Sequence, residues 1–151
     1  MIKAKNVKNL KNSKIENRYA NQLREAGFKA TPAKIQLLVI LANSKEPLSV
    51  ESIYKKFKNP LPDMATVYRS LKELHAKGLL KQINMQHSHA HYEYAGLTDH
   101  HHFICNQCGV VEDIKNCDLG LVIKKALKDS KTFNNVTDHS FELFGLCKNC
   151  R

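Results

Sequence analysis

Apolar positions Ile15, Tyr19, Leu23 and Ala26 recur at three- and four-residue intervals and predict a helix over residues 15–26, ended by Gly27. Thr31-Pro32 reads as an N-cap and first helical residue, opening a second helix with Ile35, Leu38, Val39 and Ala42 inward. Ser49 caps a short third helix carrying Val50, Ile53, Tyr54 and Phe57. Asn59-Pro60-Leu61-Pro62 breaks it, because proline lacks an N–H and disfavours helix at the preceding residue. Asp63 caps a fourth helix that runs to about Lys77 and stops at Gly78. Along it Val67, Ser70, Leu71 and Leu74 share one face, Ala65, Arg69, Lys72 and Ala76 lie opposite, and Tyr68 sits at the edge. Residues 79–83 and 91–94 then read as two strands around a polar loop. Helices followed by a hairpin in this order predict a winged helix-turn-helix, whose fourth helix would enter a DNA groove; periodicity alone favours the plainer reading of Arg69 and Lys72 as a solvated face.

Further along, residues 102–105 and 110–114 read as strands joined by a tight turn. Leu119, Val122, Ile123, Ala126 and Leu127 mark an amphipathic helix. Residues 136–146 alternate around Phe141, Leu143 and Gly145 as a third strand. A unit this small has a small core, which zinc would stabilise and a partner subunit could complete. The class expected is α+β: a basic disordered tail over 1–14, a winged helix-turn-helix domain with a hinge over 15–95, and a small α/β zinc-containing dimerisation domain over 96–151.

Charge divides the chain at the same place. Residues 1–84 hold 17 Lys/Arg against 6 Asp/Glu, whereas residues 85–151 hold 7 against 8. The excess positive charge attracts a polyanion to the first part, where Lys72, Arg69 and Tyr68 have the side-chain types that read bases and phosphates. The Lys-rich segment 3–14 either adds phosphate contacts or merely solubilises. No apolar run reaches the roughly 18 residues of a membrane span, and the Lys/Asn-rich start lacks the apolar core of a secretory signal. A cytoplasmic protein is expected.

The second part holds seven of the eight histidines and all five cysteines. Cys105-x-x-Cys108 and Cys147-x-x-Cys150 are separated by 38 residues, a pattern for a four-thiolate tetrahedral zinc site. Gly109 suits the turn of such a knuckle, and Cys117 is left over as a free thiol. In Asp99-His100-His101-His102, strand alternation would set His100 and His102 on one face and Asp99 and His101 on the other. His87, His89, His91 and Glu93 alternate likewise, and Asp113 adds a carboxylate from the next strand. These nitrogen and oxygen donors suit a divalent ion such as Zn(II), Fe(II), Mn(II) or Ni(II).

These residues together resemble the ferric-uptake-regulator family of metal-responsive bacterial repressors over about residues 15–151. The marks are Gly27-Phe-Lys-Ala-Thr-Pro32, Ala65-Thr-Val-Tyr-Arg69, Asp99-His-His-His-Phe-Ile-Cys-Asn-Gln-Cys-Gly109, His139 and Cys147-x-x-Cys150. The resemblance implies a structural zinc on Cys105, Cys108, Cys147 and Cys150, and a regulatory metal at Glu93, His100, His102 and Asp113. It implies DNA contacts from Tyr68 and Arg69, with Lys29 reaching toward the minor groove, and a homodimer bound to an AT-rich palindrome. Residues 44–48 lack the histidine that many iron and peroxide sensors supply before the third helix, so His89 or His91 would replace it. The family's additional metal site maps onto His101 and His139, but Asp99 and His101 exchange the usual residue types and Gly120 replaces an acidic ligand.

The reading is a metal-dependent repressor of metal uptake or homeostasis genes, sensing zinc or iron. Peroxide or nickel sensing is the alternative within the family, and Asp113 is an aspartate as in the peroxide-sensing subgroup. A constitutive DNA-binding or metal-buffering protein with only structural zinc is the alternative outside it. An enzyme is not expected. His91-Tyr-Glu93 before Cys105-x-x-Cys108 imitates a zinc deaminase signature, but Ile104 replaces its proline and Cys147 and Cys150 would go unexplained.

Overall fold

The chain forms two compact units, Met1–Leu97 and Thr98–Arg151, in a computed structural model. Described are residues 3–85, 89–98, 100–114, 118–137 and 139–151, the first ten as backbone alone. His87, Asp99 and Cys117 therefore lie outside the described residues.

The first unit contains α1 (Lys3–Glu25), α2 (Pro32–Ala42), β1 (Leu48–Ser49), α3 (Val50–Lys56), α4 (Met64–Ala76), β2 (Leu80–Ile83) and β3 (His91–Tyr94). Each helix start follows its cap. Thr31, Ser49 and Asp63 accept from the backbone N–H three residues on, at 3.4, 3.2 and 2.7 Å. Gly27 and Gly78 end α1 and α4 at φ 85° and 70°, the left-handed region that glycine enters without cost. The strands form an antiparallel sheet in the order β1-β3-β2. Leu23, Leu37, Leu38, Ile53, Leu71 and Leu74 are fully buried between the helices and this sheet.

Three expectations change here. Residues 3–14 form the first turns of α1 rather than a disordered tail, because the polar stretch runs without a helix breaker into the amphipathic one. In α2 the buried residues are Leu37, Leu38 and Leu41, while Ile35, Val39 and Ala42 are only half-buried. That helix is apolar nearly all round, so spacing could not select its inner face. Leu48 and Ser49 form a strand too short for a two-residue period to reveal, paired with Tyr92 and His91.

The second unit contains β4 (His101–Cys105), β5 (Val111–Ile114), α5 (Leu119–Asp129) and β6 (Glu142–Gly145). β4 is central, antiparallel to β5 and parallel to β6. The expected strand over 136–146 contracts to four residues. Glu142 and Phe144 are half-buried and Leu143 is exposed, since only the residues laddered to β4 have a defined inner face. No residue of α5 is buried, and its Leu121 and Val122 are 64% and 60% exposed. Among the described residues no helix is long and apolar enough to cross a membrane.

Candidate metal centres and nucleic-acid face

β4 ends at Cys105 and turns at once. Gly109, at φ 73°, donates its N–H to the Cys105 carbonyl at 2.9 Å, folding Cys108 back toward Cys105. β6 delivers the second pair, and the Cys150 N–H closes the matching turn onto the Cys147 carbonyl at 3.0 Å. All four sulfurs lie within 4.8 Å of one another. Cys108 Sγ and Cys147 Sγ are 3.7 Å apart. A tetrahedron of sulfurs at about 2.3 Å from zinc has edges of about 3.8 Å, so the spacing fits.

Electrostatics point the same way. N–H groups of Cys108, Cys147 and Gln107 hold the Cys105 thiol down to about 6. Hydrogen bonding to the Cys147 and Cys108 sulfurs pushes Cys150 up to about 12. One thiolate thus forms readily while a neighbour keeps its proton, and a divalent cation at the centre would let all four ionise. The residues fit a four-thiolate metal site.

The histidines of the same sheet separate by face, as alternation requires. His100 and His102 have ring centroids 4.8 Å apart. His102 pairs in register with Asp113, whose Oδ1 lies 3.9 Å from its Nε2. His101 instead turns to His139, with a hydrogen bond of 3.0 Å between their Nε2 atoms and Phe141 against the ring. The structure therefore brings His101 and His139 together, as a histidine pair. In the first unit, β3 places Tyr92 and Tyr94 in the core and carries His91 and Glu93 on the alternate positions, with Glu93 buried. His91 Nδ1 lies 3.2 Å from the His89 carbonyl oxygen.

α4 presents the expected division. Val67, Ser70, Leu71 and Leu74 are buried, and Tyr68, Arg69 and Lys72 are exposed. Lys29 is exposed on the loop between α1 and α2, where the Thr31 N–H donates to its carbonyl at 2.9 Å. One ion pair escaped the sequence reading: Lys34 Nζ of α2 lies 2.8 Å from Glu73 Oε2 of α4. Its partners are 39 residues apart, and no local spacing signals such a pair.

Comparison with known proteins fits this geometry. The model of the ferric uptake regulator family matches residues 25–144. The chain is 33% identical over 135 residues to the ferric uptake regulation protein of Legionella pneumophila, covering 87% of this chain and 98% of that one. It is 31% identical over 130 residues to the peroxide operon regulator of Bacillus subtilis (strain 168), covering 85% and 88%. Among solved structures it resembles the ferric uptake regulator from Pseudomonas aeruginosa with manganese, at a TM-score of 0.72, 28% identity and coverage of 86% and 98%. The chain belongs to the ferric uptake regulator family. Its members are metal-responsive transcriptional regulators that act as DNA-binding dimers and are not enzymes.

Proposed function

We propose that the protein is a cytoplasmic, homodimeric repressor of metal uptake or homeostasis genes that binds an AT-rich palindromic operator when a divalent metal, Zn(II) or Fe(II), is available. The first unit is its winged helix-turn-helix, with Tyr68, Arg69 and Lys72 on the recognition helix and Lys29 toward the minor groove. The second is its dimerisation domain. The observation that carries the reading is α4: a helix with a buried apolar face, an aromatic–Arg–Lys outer face and an aspartate cap, in the most basic part of the chain.

Cys105, Cys108, Cys147 and Cys150 hold a structural zinc, supported by the sulfur spacing. The sensory ion is held by His100, His102 and Asp113 of the second unit with Glu93 and His89 or His91 of the first. The approach of His100 to His102, and the pairing of His102 with Asp113, support this set. When bound, that ion supplies a fixed coordination geometry. Ligands from both sides of the boundary at residue 97 then hold the two units in one relation, which sets the separation of the two recognition helices in a dimer to successive major grooves.

Operator binding followed by fluorescence anisotropy tests the reading. Protein carrying only its structural zinc is titrated with Zn(II), then anaerobically with Fe(II), Mn(II) and Ni(II), on palindromic and scrambled duplexes. One metal is expected to tighten specific binding by roughly tenfold or more, and H102A is expected to remove that response. An affinity indifferent to every metal would leave constitutive DNA binding or metal buffering. The likeness to the peroxide operon regulator supports one further arm: release of the Fe(II)-loaded operator complex by hydrogen peroxide would assign peroxide sensing instead.

A further inference from the structure

Lys34 sits in the first turn of α2 with its side chain only 17% exposed, and it makes two contacts at once. Its ammonium donates to Glu73 Oε2 at 2.8 Å. It also lies 4.5 Å from the centroid of the Phe28 ring. Phe28 packs against the core and donates its N–H to the Leu23 carbonyl at 2.8 Å. It directly precedes Lys29. Glu73 lies four residues after Arg69 on α4, on the same stripe of the helix. Lys34 therefore joins the loop that carries Lys29 to the helix that carries Tyr68 and Arg69.

The charge arrangement gives this joint a second consequence. A glutamate four residues after an arginine lies within ion-pair reach of it on a helix surface, although the opposite order is the more favourable one. Such a pair would draw the Arg69 guanidinium back along α4 and offset its charge. Among the described residues, however, Arg69 has no hydrogen-bond or ion-pair partner, and Glu73 is engaged by Lys34. The pair is half-shielded from solvent, so it is less screened than a surface ion pair.

We propose that Lys34 is a positioning residue for DNA recognition: through Phe28 and Glu73 it fixes the Lys29 loop against the recognition helix, and it keeps the Glu73 carboxylate from Arg69. Lys34 touches no DNA in this scheme. It acts by holding the minor-groove and major-groove contacts at one separation and by leaving the Arg69 charge without a neighbouring carboxylate to offset it. The inference rests on the DNA-binding reading given above.

Full-length metal-loaded protein is compared as wild type, K34M, K34R, E73Q and K34M/E73Q, by anisotropy on the palindromic and scrambled duplexes across a salt series and by thermal melting. K34M is expected to weaken specific binding by roughly tenfold, with scrambled-DNA affinity and the salt slope unchanged. K34R, which retains the ion pair and the ring contact, stays within about threefold of wild type. K34M/E73Q recovers the part of the loss that the freed carboxylate causes and binds as E73Q does, because both lack the joint but leave Arg69 unopposed. The readout is specific against non-specific binding, which a loss of stability alone would not separate; if K34M melts low, K34R and the double variant still decide. Equal loss on both duplexes with a salt slope shallower by about one would make Lys34 a phosphate contact and overturn the proposal. So would a K34M that binds as wild type does. A wild-type protein that does not distinguish the duplexes overturns the DNA-binding reading and this inference with it.

Discussion

The Cys105 thiol is held near 6 by three N–H groups, while Cys150 a few ångströms away is held near 12. That disparity belongs to four sulfurs that lie within 4.8 Å of one another. C147S is expected to lower bound zinc by one equivalent per subunit, read by elemental analysis. The melting transition of the second unit should fall by on the order of 10 °C or more, since metal binding is coupled to folding in units of this size. The grouping of the four cysteines was legible in the sequence because the spacing within each Cys-x-x-Cys pair is a local property of the chain. The opposite faces of His101 and His102 followed from strand alternation alone. The partner of His101 was visible only as a candidate: His139 lies 38 residues away, and β6 brings it within 3.0 Å.

Helix α4 shows the same contrast at the scale of an element. Its boundaries, cap and buried face were all legible, because Asp63, Gly78 and a 3.6-residue period are local signals. The Thr66 hydroxyl and N–H both donate to Asp63, at 2.7 Å each, and hold its carboxyl below the usual carboxylate range. A carboxyl depressed in the folded state stabilises above its unfolded pKa and loses that contribution as pH falls through the folded one. D63A is thus expected to melt at lower temperature than wild type at neutral pH, with the difference closing in acid; melting curves across pH check this. The inner face of α2 was not legible. Its sequence Pro-Ala-Lys-Ile-Gln-Leu-Leu-Val-Ile-Leu-Ala offers apolar side chains on most sides, and only packing against α1 and β3 selects Leu37, Leu38 and Leu41.

For the whole molecule the decisive asymmetry lies between the two units. The first buries a continuous core, whereas the buried side chains described in the second are His101, His102, Ile104 and Cys105. Leu121 and Val122 of α5, with Phe103, Val110 and Leu146, leave apolar surface for the second subunit of a family that acts as dimers. V122D is expected to shift the protein from dimer toward monomer in light scattering and to weaken operator binding by roughly tenfold or more, because one recognition helix then binds without its twin. A V122D protein that remains dimeric would place the interface elsewhere. By itself the sequence determined the caps and stops of α2, α3 and α4, the pattern of the four cysteines and the division of charge, for all of these depend on neighbours within a few residues. Tertiary structure decided the inner face of α2, the extent of β6, the His101–His139 pairing and the Lys34–Glu73 link between α2 and α4. Each of those depends on which distant segment lies opposite, and long-range packing sets that where local spacing cannot.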